Sequence, residues 1–131
     1  MKFSLVVYSA PHAGEAAASA LRFARAVVDQ GHELYRVFFY ADGVHHGSAL
    51  AAPPQDEQDL LTPWQELRQA NDVDLVVCIA AAQRRGVLSH SEAERLERPA
   101  ANLADGFELG GLGQLADATA QSDRVVTFGG Q

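Results

Sequence analysis

Short apolar runs alternate with longer stretches in which apolar residues recur at helical spacing, and this alternation organises the chain. Phe3 to Tyr8 is nearly continuous in apolar character, which suits a strand buried on both faces, and Ser9-Ala10-Pro11-His12-Ala13-Gly14 breaks it. From Glu15 to Gln30, Ala17, Leu21, Ala24 and Val28 fall on one helical face, with Arg22, Arg25 and Asp29 between them. Gly31 follows as a C-terminal stop. Leu34 to Tyr40 forms a second strand, and the interval between the two strands fits a right-handed parallel crossover.

The next segment, from Ala41 through Pro54, is irregular and long for a connection in an α/β protein, as functional or partner-binding excursions often are. Helical spacing returns from Asp56 to Gln69 through Leu60, Leu61, Trp64 and Leu67, where Pro63 either kinks the helix or marks its true start. Val73 to Ile79 reads as the third strand. Ser89 or Ser91 can cap a short helix through Glu94, Arg95 and Leu96. Gly106 to Leu109 gives a short fourth strand, and Gly111 to Ala120 a helix with Leu112, Leu115 and Ala116 inward. Asp123 to Phe128 is the fifth strand, followed by a frayed end over Gly129-Gly130-Gln131. Five strands alternating with helices predict a three-layer α/β/α fold with an open, mostly parallel five-stranded sheet, formed as a single domain over residues 1–131.

Charge narrows the partners. Ten basic against 17 acidic residues give a net charge of −7, which argues against a domain-wide footprint for nucleic acid or an anionic membrane surface and leaves a protein or a small substrate. No apolar run approaches the roughly 20 residues that span a bilayer. The opening Met1 to Tyr8 reads as a strand rather than a signal peptide, and the one cysteine cannot form an internal disulfide, so a reducing cytoplasm is expected.

That cysteine, Cys78, stands where the third strand runs out, followed by Ile79-Ala80-Ala81-Ala82-Gln83-Arg84-Arg85-Gly86. In open parallel sheets the ligand site forms outside the carboxyl ends of the strands, so the segments Ser9 to Gly14, Tyr40 to Gly47 and Cys78 to Gly86 converge there. Only the third carries a nucleophile. A thiol attacks as its thiolate, the form favoured by neighbouring cations or a helix N-terminus, and Arg84 and Arg85 are the candidates to stabilise it. His12, Tyr40 and His45 are pocket candidates. The bland alternatives are a buried Cys78 acting as a small hydrophobe and arginines lying along a helix surface.

Other chemistry fits less well. Cys78-x5-Arg84 matches the outline of a cysteine-dependent phosphatase loop, but Ala80-Ala81-Ala82-Gln83 replaces its glycine-rich cradle, Val77 its preceding histidine and Arg85 its following serine or threonine. His12, His45 and His46 lack the carboxylate or cysteine company that a metal site needs, so no metal is expected. Neither a dinucleotide-binding glycine fingerprint nor a triphosphate loop is present, and no cofactor is expected.

The run from Cys78 to Val87, with Gly31-His32-Glu33-Leu34, Val37-Phe38-Phe39-Tyr40, Asp42-Gly43-Val44, Gly111-Leu112-Gly113 and Asp123-Arg124-Val125-Val126, resembles the TusD/DsrE family of sulfur-relay proteins. The resemblance extends from Phe3 to about Phe128. It implies a DsrE-like parallel five-stranded sheet and a persulfide-carrying cysteine at Cys78. It also implies a TusA-like sulfur donor, a TusE-like acceptor serving tRNA 2-thiouridine synthesis, and a heterohexamer with TusB-like and TusC-like subunits. A DsrE-type carrier in sulfur oxidation and a non-catalytic scaffold subunit are the alternatives within the same architecture. With no second cysteine, a persulfide on Cys78 has no internal thiol to resolve it, so transfer to a partner is the productive route.

Overall fold

The computed structural model describes residues 1–130. Strands β1 (Lys2–Val7), β2 (Glu33–Phe39), β3 (Asp74–Cys78), β4 (Phe107–Gly110) and β5 (Arg124–Phe128) form one sheet in the order β4-β3-β2-β1-β5, with every neighbouring pair parallel. Helices α1 (Glu15–Asp29), α2 (Thr62–Asn71), α3 (Ile79–Arg84), α4 (His90–Arg95) and α5 (Leu112–Gln121) fill the connections.

Register fixes what each face carries, because side chains alternate along a strand and pair across it. Leu5 pairs with Val37, Val37 with Leu75, and Leu75 with Phe107. Two residues further along, Val7 pairs with Phe39 and Phe39 with Val77. This face packs against α1 and α2: Phe23 of α1 meets Phe3 and Phe128, and Trp64 of α2 stands edge-on to Phe39 with ring centroids 5.5 Å apart. Leu5, Val7, Val37, Phe39 and Trp64 are all fully buried. Each side chain of that size contributes about 2 kcal/mol through apolar area removed from water.

The opposite face carries Ser4, Val6, Arg36, Phe38 and Val76 beneath α5. Arg36 is the exception to its apolar surroundings. It donates to the Gln114 carbonyl at 2.7 Å, to Asp117 at 2.9 Å and to Asp74 at 3.0 Å, so a buried guanidinium ties α5 to β2 and β3. The Tyr35 hydroxyl and the Arg36 guanidinium hold the Asp117 carboxyl below the usual carboxylate range.

Several boundaries depart from the sequence expectation. The predicted helix from Asp56 begins instead at Thr62 with Pro63 in its first turn, the second of the two readings of that proline. Asp59 explains the delay: its carboxylate accepts from the Leu61 and Thr62 N–H groups, which holds the approach in a turn. In α1 Val27 is buried and Val28 only half-buried. In α5 Leu112 is 54% exposed and Ala116 is exposed, so neither faces inward; Ala118 is the buried residue and Leu115 packs partly against the core. Gly129 and Gly130 have no regular structure, and Gln131, the last residue of the expected frayed end, lies outside the described residues.

Candidate functional site

The carboxyl ends of β1, β2 and β3 are closed by two elements the sequence leaves as loops. Ala41–Gly47 is a 3₁₀ helix, and α3 begins directly after Cys78. The 3₁₀ helix fits because Gly43 lies against β1, where a Cβ would run into the Val7 carbonyl. Asp42-Gly43 therefore serves a close backbone approach rather than a bare turn. The third strand ends at Cys78, not Ile79, because Cys78 is the residue that caps α3 in extended conformation.

Cys78 pairs with Gly110 of β4 and is 3% exposed. Val77 before it belongs to the face covered by α1 and α2, where its side chain lies close to Gly47. Alternation thus directs Cys78 to the α5 side. The missing side chain of Gly110 opens the same side: a Cβ there would meet Gln114 of α5 and Val76 of β3. Tyr40 follows β2, its N–H donating to the Val7 carbonyl at 3.0 Å, and its ring lies 5.6 Å from Tyr8 and 6.0 Å from Phe38 of the α5 side.

The two arginines part company. Arg85 Nε donates to Asp42 Oδ1 at 2.8 Å and Nη1 to the Ala81 carbonyl at 3.1 Å, pinning α3 to the 3₁₀ helix. Its guanidinium is engaged with a carboxylate. Arg84 is exposed in the last turn of α3, about 9 Å along the helix from Cys78 and roughly two-thirds of a turn around its axis. Neither arrangement matches the expected pair of cations beside the sulfur. The same helix removes the phosphatase alternative, since residues wound from Ile79 to Arg84 form no loop that wraps a phosphate with its arginine folded over it.

His12 and His45 line a separate cleft with Pro11, His46, Ser48 and Asp59, and Cys78 does not line it. His46 packs on Phe39 with ring centroids 5.2 Å apart, which places this cleft across the sheet from the face Cys78 addresses. His46 itself is 2% exposed. Its Nε2 lies 3.0 Å from the Ser9 carbonyl, which only accepts, so Nε2 carries the proton and the buried Nδ1 is left without a partner. Burial pushes the His46 pKa down to about 4, helped by His12 and His45 and opposed by the Ser9 hydrogen bond. His12 Nδ1 is 3.7 Å from Glu57, and the Leu61 and Thr62 hydrogen bonds hold the Asp59 carboxyl below its usual range. Among the described residues no group of three or more His, Cys, Asp or Glu could hold a metal ion, and no helix is long and apolar enough to cross a membrane.

The sequence reading passes over Arg36 and weighs His46 only as a metal ligand, not as a buried neutral imidazole. Arg36 has a legible signal, a charge at an alternate position of an otherwise apolar strand, which demands buried partners. His46 has none, because its burial follows from the 3₁₀ turn.

The helix-covered parallel five-stranded sheet is an α/β architecture, and the chain belongs to the DsrE/DsrF-like family, whose model matches residues 1–128. It is a sulfurtransferase. Its relatives include the sulfurtransferase TusD homolog of Pseudomonas aeruginosa, 54% identical over 99% of this chain and 98% of the relative. The sulfurtransferase TusD of Salmonella dublin is 47% identical over 98% of this chain and 100% of its own length. A protein of Allochromatium vinosum named as a DsrE sulfurtransferase is 46% identical over 98% of this chain and 99% of the relative. The crystal structure of the ychN protein of E. coli superimposes with a TM-score of 0.78 at 28% identity, covering 98% of this chain and 99% of the other.

Proposed function

We propose that the chain accepts sulfur as a persulfide on Cys78 from a TusA-like donor and passes it to a TusE-like acceptor for 2-thiolation of the tRNA wobble uridine. It works within a heterohexamer that includes TusB-like and TusC-like subunits. The observation that carries this reading is the lone cysteine at the carboxyl end of β3 in a chain about half identical to TusD sulfurtransferases over its whole length. In the first step the Cys78 thiolate attacks the outer sulfur of the donor persulfide. The donor S–S bond breaks, the donor leaves as a thiolate with the electron pair, and Cys78 holds S–SH with no net oxidation. An acceptor thiolate then attacks that outer sulfur and restores the Cys78 thiolate. Tyr40, which follows β2 as Cys78 ends β3, is the proposed donor to the anionic persulfide.

Incubating the chain, in its complex, with a persulfidated donor and measuring its intact mass tests the reading. Wild type gains one sulfur and Cys78→Ser gains none; equal loading of both sinks the assignment. The similarity to the Allochromatium DsrE protein favours a second reading, a carrier in sulfur oxidation. Restoration of tRNA 2-thiouridine in a strain lacking its TusD separates the two: the proposed function predicts recovery, and the second reading predicts none.

A further inference from the structure

Arg84, displaced from Cys78, opens a different role. Together with Arg98 it lines a groove of ≈ 400 Å³ whose walls include Leu88, Leu96 and Pro99 and whose lining holds no carboxylate. Arg36, Arg85 and Arg95 each pair with acidic side chains. Among the described residues Arg84 makes no ion pair or side-chain hydrogen bond, and the Arg98 guanidinium donates only to the Leu96 carbonyl at 3.2 Å. Two unneutralised guanidinium groups facing one partly apolar groove, on a chain of net charge −7, mark a local reversal of sign.

We propose that this groove docks an acidic peptide segment of the protein that exchanges sulfur with Cys78, with a carboxylate about three residues from that protein's reactive cysteine. The proposal rests on the persulfide reading of Cys78. Its spacing comes from α3, which begins after Cys78 and ends at Arg84. Those six residues span about 9 Å, a distance that an extended chain covers in about three residues. Guanidinium groups pair bidentately with carboxylates, while Leu88, Leu96 and Pro99 receive the apolar stems between them. A small inorganic anion would use the charges but not these walls.

Synthetic donor peptides test it. Each carries a cysteine persulfide and, three residues away, a pair of glutamates, glutamines or lysines, and the rate of Cys78 loading is followed by intact mass at low ionic strength. The glutamate peptide is expected to load about fivefold faster than the glutamine peptide, an advantage that added salt erodes. The lysine peptide is the slowest, although the net charge alone would favour it. In the Arg84→Ala/Arg98→Ala double variant, whose substitutions lie at the surface, the glutamate and glutamine rates converge. Equal rates on wild type, or an undiminished glutamate advantage in the double variant, overturn the groove while leaving Cys78 a persulfide carrier. Failure of every peptide to load a wild-type chain that the whole donor protein does load overturns the groove alone, whereas equal loading of Cys78→Ser removes the carrier reading and the groove with it.

Discussion

His46 makes the fold sensitive to acid in a way that can be calculated. Its Nε2 proton is held by the Ser9 carbonyl, so a second proton must enter at Nδ1, which is buried and has no partner. The folded pKa is lowered from 6.5 to about 4. Above the unfolded value both states are uncharged at this site and His46 imposes no penalty. As pH falls below it, the unfolded chain takes up a proton that the folded chain refuses, and stability drops by about 1.4 kcal/mol per pH unit. The loss reaches about 2 kcal/mol by about pH 5 and levels off near 3 kcal/mol once pH passes below the folded value. Urea unfolding of wild type and His46→Gln at about pH 7 and pH 5 isolates the effect, because the carboxylates titrate alike in both proteins. The wild type should lose about 2 kcal/mol more than the variant between those two conditions. A proton NMR titration of wild type offers an independent check, with the His46 ring resonances static until well below pH 6. Parallel stability curves, or a His46 ring that titrates at its ordinary value, would refute the reasoning.

Two further substitutions probe the closure over the carboxyl ends of the strands. Gly43→Ala forces a Cβ against the Val7 carbonyl and should cost about 3 kcal/mol, whereas Gly113→Ala, in α5 with open space around it, should stabilise by up to about 1 kcal/mol; urea midpoints of the two variants check the contrast. Arg85→Ala releases the ion pair to Asp42 and should cost under about 1 kcal/mol while raising the alkylation rate of Cys78 about threefold through more frequent local opening. An unchanged rate would show that the pair does not control access to the sulfur.

The strands and α1 were legible because burial on both faces leaves near-continuous apolar runs, and because Glu15–Asp29 keeps a strict apolar stripe ended by Gly31, whose φ is 83°. The illegible parts were those where tertiary contacts outvote local pattern. Asp59 and Pro63 together delay α2, although Leu60 and Leu61 continue its spacing. Leu112 and Ala116 obey helical periodicity in α5 yet lie exposed, because the sheet beneath is contacted through Leu115 and Ala118. Ala41–Gly47 carries no periodic signal at all, and its conformation follows from how closely Gly43 approaches β1.

For the candidate site, the sequence placed Cys78 correctly at a strand end but could not say which face it takes, and that one bit of parity reorders its neighbours. Proximity in sequence favoured Arg84 and Arg85, and position among the loops favoured His12 and His45. The structure instead sets the Tyr40 ring against Phe38, on the face that Cys78 takes, puts the histidines across the sheet, and leaves Arg84 at the far end of α3. Cys78 is 3% exposed on the isolated chain, and under the proposed function that burial has a mechanistic corollary. A persulfide is easily lost to stray thiols, and a site that exposes so little of Cys78 slows that loss in the same way that it slows loading. Under the proposed function, transfer then depends on a partner whose binding opens the sulfur, so loading by a docking donor should exceed loading by a small persulfide by more than their intrinsic reactivities allow. The proposed docking near Arg84 and the uncovering of Cys78 are then two parts of one requirement, and both act before the proposed S–S exchange.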